Sequence, residues 1–120
     1  MLHMKYIKHL AVIATLLCCL SFAVFHHGWS SYDQTKTLDY KGTVQELKYE
    51  NPHALATVKD KDKTWTVYLA PISRMEARGL NADMIKKGST IRVVGYPHKE
   101  VKDEMRAERI YVGDKKFELR

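Results

Sequence analysis

A chain of 120 residues whose two cysteines both fall inside one apolar run has room for a modest core and no disulfide framework to staple it. Its 20 Lys and Arg outnumber 14 Asp and Glu. The signs alternate, as in Lys59-Asp60-Lys61-Asp62-Lys63, and mixed charge of this kind reads as a solvated loop.

The start has the layout of an export signal. Met1 to His9 carries Lys5 and Lys8 and no acid, and an apolar run then extends from Leu10 to Leu20 and on through Ser21 and Phe22 to Ala23. Ser21 and Ala23 stand as the small residues of a cleavage site, which places the cut after Ala23. The rival reading is an uncleaved anchor, but Leu10 to Phe25 falls short of the roughly 20 residues a spanning helix needs. Cys18 follows Leu17 and Cys19 follows Cys18, not the small residue that lipidation prefers. Removal of residues 1–23 leaves a cysteine-free domain of about 97 residues. Without Lys5 and Lys8 the balance becomes 18 against 14. An exported domain meets little nucleic acid, so no such partner is expected. The basicity serves solubility and weak attraction to anionic envelope surfaces.

Residues 24–36 form a polar lead-in with His26, His27, Trp29 and Tyr32, and the domain proper spans residues 37–120. Leu38, Tyr40, Gly42 and Val44 share one face of a first strand, while Leu47 and Tyr49 take the opposite parity, which predicts a bulge between them. Asn51-Pro52-His53 breaks the chain. A second strand follows at 54–59, and the Lys59–Lys63 charges form a hairpin turn. A third strand at 64–69 has Trp65, Val67 and Leu69 inward and Thr64, Thr66 and Tyr68 outward. Ser73 and Glu76 have capping-box spacing, Gly79 is a stop, and Asn81 caps another short turn ending near Gly88. Strands at 91–96 and 106–112, a turn at Gly113-Asp114 and a tail strand at 115–119 complete the pattern. The expected fold is all-β: a five-stranded Greek-key barrel of the oligonucleotide/oligosaccharide-binding (OB) type, with a short helix between strands three and four, behind the signal helix. A generic small β-roll is the competing architecture.

Motifs fall in order along the chain: His26-His27-Gly28-Trp29-Ser30-Ser31-Tyr32-Asp33, Gly42-Thr43-Val44, Asn51-Pro52-His53, Trp65, Arg78-Gly79-Leu80, Lys87-Gly88 and Gly95-Tyr96-Pro97. Together they resemble the exported bacterial family DUF6152, small OB-like proteins of unknown function that begin with a His-His-Ser-aromatic motif. This chain departs from that pattern with Gly28 in place of Ser, with His98-Lys99 after Gly-Tyr-Pro, and with Gly113-Asp114 where the family tends to have Asp-Gly. The resemblance implies fold and compartment and carries no mechanism.

OB barrels bind on the face of strands two and three, between the loops joining strands one to two and four to five. That singles out Asn51, His53, Tyr68 and His98 as ligand contacts, with the two loops side by side and His98 exposed. The other roles these residues fill are structural: Asn51 capping the turn and His53 bonding a loop carbonyl. A metal reading uses His26, His27 and His53. A cut after Ala23 gives Val24-Phe25-His26, whose amine, two amides and imidazole make a square-planar set suited to Cu(II) or Ni(II). A cut after Phe25 instead lets His26 chelate through its own amine and ring. No obligatory cofactor is expected. No carboxylate pair stands in an apolar setting, Ser30 and Ser31 have no visible nucleophile turn, and Met75, Met84 and Met105 are too far apart for a thioether copper box. The chain therefore reads as a non-enzyme: a periplasmic or secreted binding or accessory protein, touching the membrane only through its signal. Its partner is a small ligand, a metal ion or, through an exposed strand edge, an envelope protein.

Overall fold

The computed structural model of the chain describes residues 28–120. The signal helix, its cleavage position, His26 and His27 lie outside the described residues. The chain divides into Met1–Ser31 and Tyr32–Arg120. The described part of the first is Gly28 and a 3-10 turn, Trp29–Ser31, in which the Ser31 amide donates to the Gly28 carbonyl at 3.1 Å.

The second unit runs β1 (Leu38–Lys48), β2 (Leu55–Asp60), β3 (Lys63–Tyr68), α1 (Ile72–Ala77), a 3-10 turn (Ala82–Ile85), β4 (Thr90–Pro97), β5 (Glu104–Val112) and β6 (Lys115–Glu118). β1 pairs antiparallel with β2 on one edge and β4 on the other. β3 is antiparallel to β2 and β5 is antiparallel to β4. The circle closes where β3 meets β5 in parallel, Thr66 opposite Glu104 through Tyr68 opposite Arg106. This is a closed five-stranded barrel with a short helix between β3 and β4, the expected OB arrangement.

One strand can serve two sides of a barrel only if it bends. Val44 faces Val58 and Glu46 faces Thr57, so Gln45 is the additional residue of a bulge. Val44 is buried before the bulge, and Leu47 and Tyr49 pack on the core after it. β5 repeats the device. Gly95 faces Ala107 and Val94 faces Arg109, leaving Glu108 as the extra residue and moving the inward positions from Met105 and Ala107 to Ile110. The β4–β5 contact is also close at Gly95, where a side-chain carbon would collide with the Arg106 carbonyl and lie 2.9 Å from the Ala107 Cα.

The core follows the alternation. Trp65, Val67, Leu69, Ile91, Val93 and Ile110 are all buried, and each large apolar side chain so placed contributes about 1.5–3 kcal/mol. Tyr40 stacks on Trp65 with ring centres 6.2 Å apart, and the Lys63 ammonium lies 3.9 Å from the Trp65 ring centre.

The start of α1 corrects the expectation for that helix. The capping box does not form. Pro71 is the N-cap, and its carbonyl receives the Arg74 and Met75 amides. The proline fixes an extended backbone two positions earlier than a Ser73 cap requires, so Ser73 falls inside the first turn. The other end is as expected. Gly79, at φ +83°, donates to Glu76, and Leu80 donates to Met75. That pair of bonds closes the helix in a Schellman motif. Asn81 caps the following 3-10 turn, accepting from the Met84 amide at 3.2 Å.

Candidate functional site

Sheet register arranges the outer surface of β2, β3, β5 and β4. Leu55 faces Tyr68, Tyr68 faces Arg106, and Arg106 faces Tyr96. Their chain neighbours Ala56, Val67, Met105 and Ala107 are buried, so this row of four points away from the core. One step along the strands lies a second row, Thr57, Thr66 and Glu104. His98 is tied in at this level by its amide, which donates to the Glu104 carbonyl at 2.9 Å.

The loop between β1 and β2 carries Asn51, Pro52 and His53; Asn51 and Pro52 are exposed and His53 is half-buried. Ala54 and Leu69–Ala70 extend the β2–β3 ladder beyond Leu55, through Ala54 N–H to the Ala70 carbonyl and Leu69 N–H to the Ala54 carbonyl. Ala54 points inward, so His53 stands on the outer side, beyond the Tyr68 row. Burial and the positive charges of Arg106 and Arg74 hold its imidazole below the usual histidine value. A half-buried histidine under the field of two guanidiniums is a neutral hydrogen-bonding group near pH 7.

The loop between β4 and β5 lies at the other end of β3, where the Asp103 carbonyl receives the Thr66 amide and the Asp103 carboxylate pairs with Lys63 at 3.4 Å. The expected side-by-side placement of the two loops is therefore corrected. They border one outer surface from its opposite ends, because β3 and β5 run parallel and the two loops meet β3 at opposite termini. Neighbours bridge the interval: His98 touches Tyr32, and Tyr32 lies within electrostatic reach of Tyr68 and Arg106.

His98 is not exposed, as the sequence suggested; its side chain retains 15% accessibility. Nδ1 accepts two backbone amides, from Glu100 at 3.0 Å and Val101 at 2.9 Å. A nitrogen that accepts two N–H groups carries no proton, so the ring hydrogen sits on Nε2, 3.6 Å from Glu104 Oε2. The same carboxylate oxygen accepts from the Tyr32 hydroxyl at 3.2 Å, and the Tyr32 ring meets the imidazole edge-on at 5.1 Å. Burial and the nearby Glu104 charge raise the Tyr32 phenol far above its ordinary value, so it remains a donor. The two amide bonds to Nδ1 make His98 the fastener of its own loop.

Tyr32, Glu104 and Arg106 belong to this candidate surface and were not singled out by the sequence. Tyr32 stood in a lead-in read as polar, yet it is buried, is bridged to His98, and is followed by Asp33, whose amide donates to the Pro97 carbonyl at 2.8 Å. Its signal was an aromatic ring, accompanied by Trp29, in a polar stretch. Glu104 fell between the expected loop, 97–103, and the expected strand, 106–112. Among the described residues, no three His, Cys, Asp or Glu side chains converge as a metal set, and none of their helices is long and apolar enough to cross a membrane.

No curated protein matches the chain. A family model described as "Family of unknown function (DUF6152)" matches residues 13–106. With most of the barrel inside that match, and its Gly-Thr-Val, Asn-Pro-His and Gly-Tyr-Pro elements placed on β1, the first loop and β4, the chain belongs to the DUF6152 family.

Proposed function

We propose that this chain is an exported binding or accessory protein that meets its ligand on the outer surface of β2, β3 and β5, with Asn51, His53 and Tyr68 as contacts. The observation that carries the reading is the row Leu55, Tyr68, Arg106 and Tyr96, an apolar group, a cation and two phenols in lateral register on the face that OB barrels use. His98 serves this surface by ordering the loop at its end. The basic start, the apolar run and the Ser21/Ala23 spacing support passage out of the cytosol, into the periplasm or medium.

Two measurements test this. The mass of protein recovered outside the cytosol fixes its first residue, with loss of residues 1–23 expected; intact chain confined to the cytosol defeats the export reading. A photo-crosslinking amino acid at position 68 gives an adduct in cells that His53→Ala removes, whereas the same group at position 111 gives none. Equal labelling from both positions argues against a dedicated face.

A second reading rests on Val24-Phe25-His26. Cleavage before Val24 presents an amine, two amides and the His26 imidazole to Cu(II) or Ni(II). A stoichiometric visible band with added Cu(II), lost in His26→Ala, supports it; weak uptake indifferent to His26 and His27 refutes it.

A further inference from the structure

β5 has two successive neighbours on one edge. β3 covers it from Glu104 to Arg106, and the C-terminal segment takes over farther along, with the Leu119 amide bonded to the Glu108 carbonyl at 2.8 Å and β6 paired at Arg109–Val112. A notch remains where β3 has ended and the C-terminal segment is arriving. Basic side chains from separate parts of the chain gather at it. Arg74 reaches in from α1 and donates from its guanidinium to the Leu119 carbonyl at 3.2 Å. Arg106 stands on the row below, half-buried. Arg120 lies at the far rim with Nη1 3.6 Å from Glu108 Oε1, and His53 borders the side nearest β2.

Two other arginines of the barrel are engaged by carboxylates. Arg92 holds Asp39 through two bonds of 2.8 and 2.7 Å, and Arg109 holds Glu118 at 3.1 Å. Arg74 instead donates to a neutral carbonyl, and no ion pair engages it among the described residues. The acids near the notch are already shared: Glu108 accepts from the Tyr96 hydroxyl at 2.7 Å and lies 3.5 Å from Arg109, while Glu104 is held by Tyr32 and His98. Arg106 carries its charge against both burial and the fields of Arg74 and Arg120, which lower its proton affinity. Like charges brought together in a partly dry place favour an anion.

We propose that the notch bounded by His53, Arg74, Arg106 and Arg120, with Tyr68 beside it, binds a tetrahedral oxyanion, namely a phosphate group. This rests on the binding-protein reading and supplies its ligand class. The guanidiniums approach from a helix, a strand and the C-terminal segment, so their donors are not coplanar. One guanidinium alone suffices for a planar carboxylate, whereas several from different directions match a tetrahedron of oxygens. Neutral His53 adds an N–H donor, and Tyr68 adds a hydroxyl and an apolar ring face.

The experiment is titration of the secreted protein, purified from cells expressing the full chain, with sulfate against chloride at constant ionic strength, followed by amide chemical shifts or calorimetry. Sulfate stands in for phosphate because it keeps two charges across the working pH range. Saturable binding is expected, weakened at least fivefold by Arg106→Gln and by Arg74→Gln and unchanged by Arg92→Gln. Arg74 is exposed, so its variant tests the site even where Arg106→Gln impairs folding. A second arm uses phosphatidylglycerol and phosphatidylcholine vesicles. Arg74-dependent sedimentation with the anionic vesicles, alongside sulfate binding, assigns the phosphate to a lipid headgroup; sulfate binding without sedimentation assigns it to a soluble ligand. Absence of saturable sulfate binding, or affinities in both Gln variants within twofold of the native protein, overturns the proposal. If export and the position-68 adduct survive such a result, only the ligand class falls.

Discussion

Removing the His98 imidazole tests whether that residue is a fastener or a contact. In His98→Ala the amides of Glu100 and Val101 lose their shared acceptor, and Tyr32 loses an edge-on ring at 5.1 Å. Each hydrogen bond is worth about 0.5–1.5 kcal/mol, toward the lower end here because water reaches the freed amides. The ring pair adds about 0.5–1.5 kcal/mol. The expected loss is therefore about 2 kcal/mol, which with a urea m-value of about 1 kcal/mol/M lowers the midpoint by about 2 M. The assay is urea unfolding followed through buried Trp65. His98→Asn supplies the discriminating comparison, because an Asn carbonyl accepts amides two and three residues ahead in the manner of an Asx turn. It should recover about 1 kcal/mol of the loss. A His98→Ala midpoint indistinguishable from native, or an Asn variant no better than Ala, refutes the fastening role.

The remaining predictions concern the barrel and its basic notch. Gly95→Ala forces a methyl against the Arg106 carbonyl, and because backbone cannot step aside as a side chain does, a loss of about 3 kcal/mol or more is expected by thermal or urea unfolding; a stable, unchanged fold contradicts the close approach. Leu69→Ala, at a site 1% exposed, should cost about 2–5 kcal/mol with an unaltered m-value. For His53, whose native value is depressed by burial and by Arg106 and Arg74, both states are neutral well above pH 6.5 and nothing is lost there. As pH falls through about 6.5 the unfolded chain takes a proton that the native protein refuses. Stability therefore drops with acidification until the native value is passed. Urea midpoints measured from pH 7.5 to 5 should show this component in the native protein and lack it in His53→Gln; parallel curves exclude it.

Much of the barrel was legible because its strands obey period-two burial. Trp65, Val67 and Leu69 alternate with exposed or half-buried partners, and Leu47 changes parity after Val44 as a bulge demands. The same signature between Ala107 and Ile110 was present but overlooked, since charged residues on both sides obscured it. The helix starts earlier than the Ser73–Glu76 spacing predicts, because the fixed φ of Pro71 dictates the first turn more strongly than a capping box. The functional surface was less legible. Asn51, His53 and Tyr68 could be nominated from fold geometry. Arg74 and Arg106, however, are ordinary surface arginines until the β3–β5 pairing brings a helix and a distant strand to one notch. Tyr32 gave no sign that it would lie under His98, because that contact joins chain positions with no periodic relation.

The bent first strand has a further consequence for how the native state opens. β1 is bonded along one edge to β2 and along the other to β4, and β3 and β5 complete the ring. Each of these strands is held on both edges, so none can leave without breaking two ladders, and amides at the strand centres are expected to share one opening event. Native-state deuterium exchange should accordingly give Val44, Val58, Val67 and Val93 a common free energy equal to that of global unfolding.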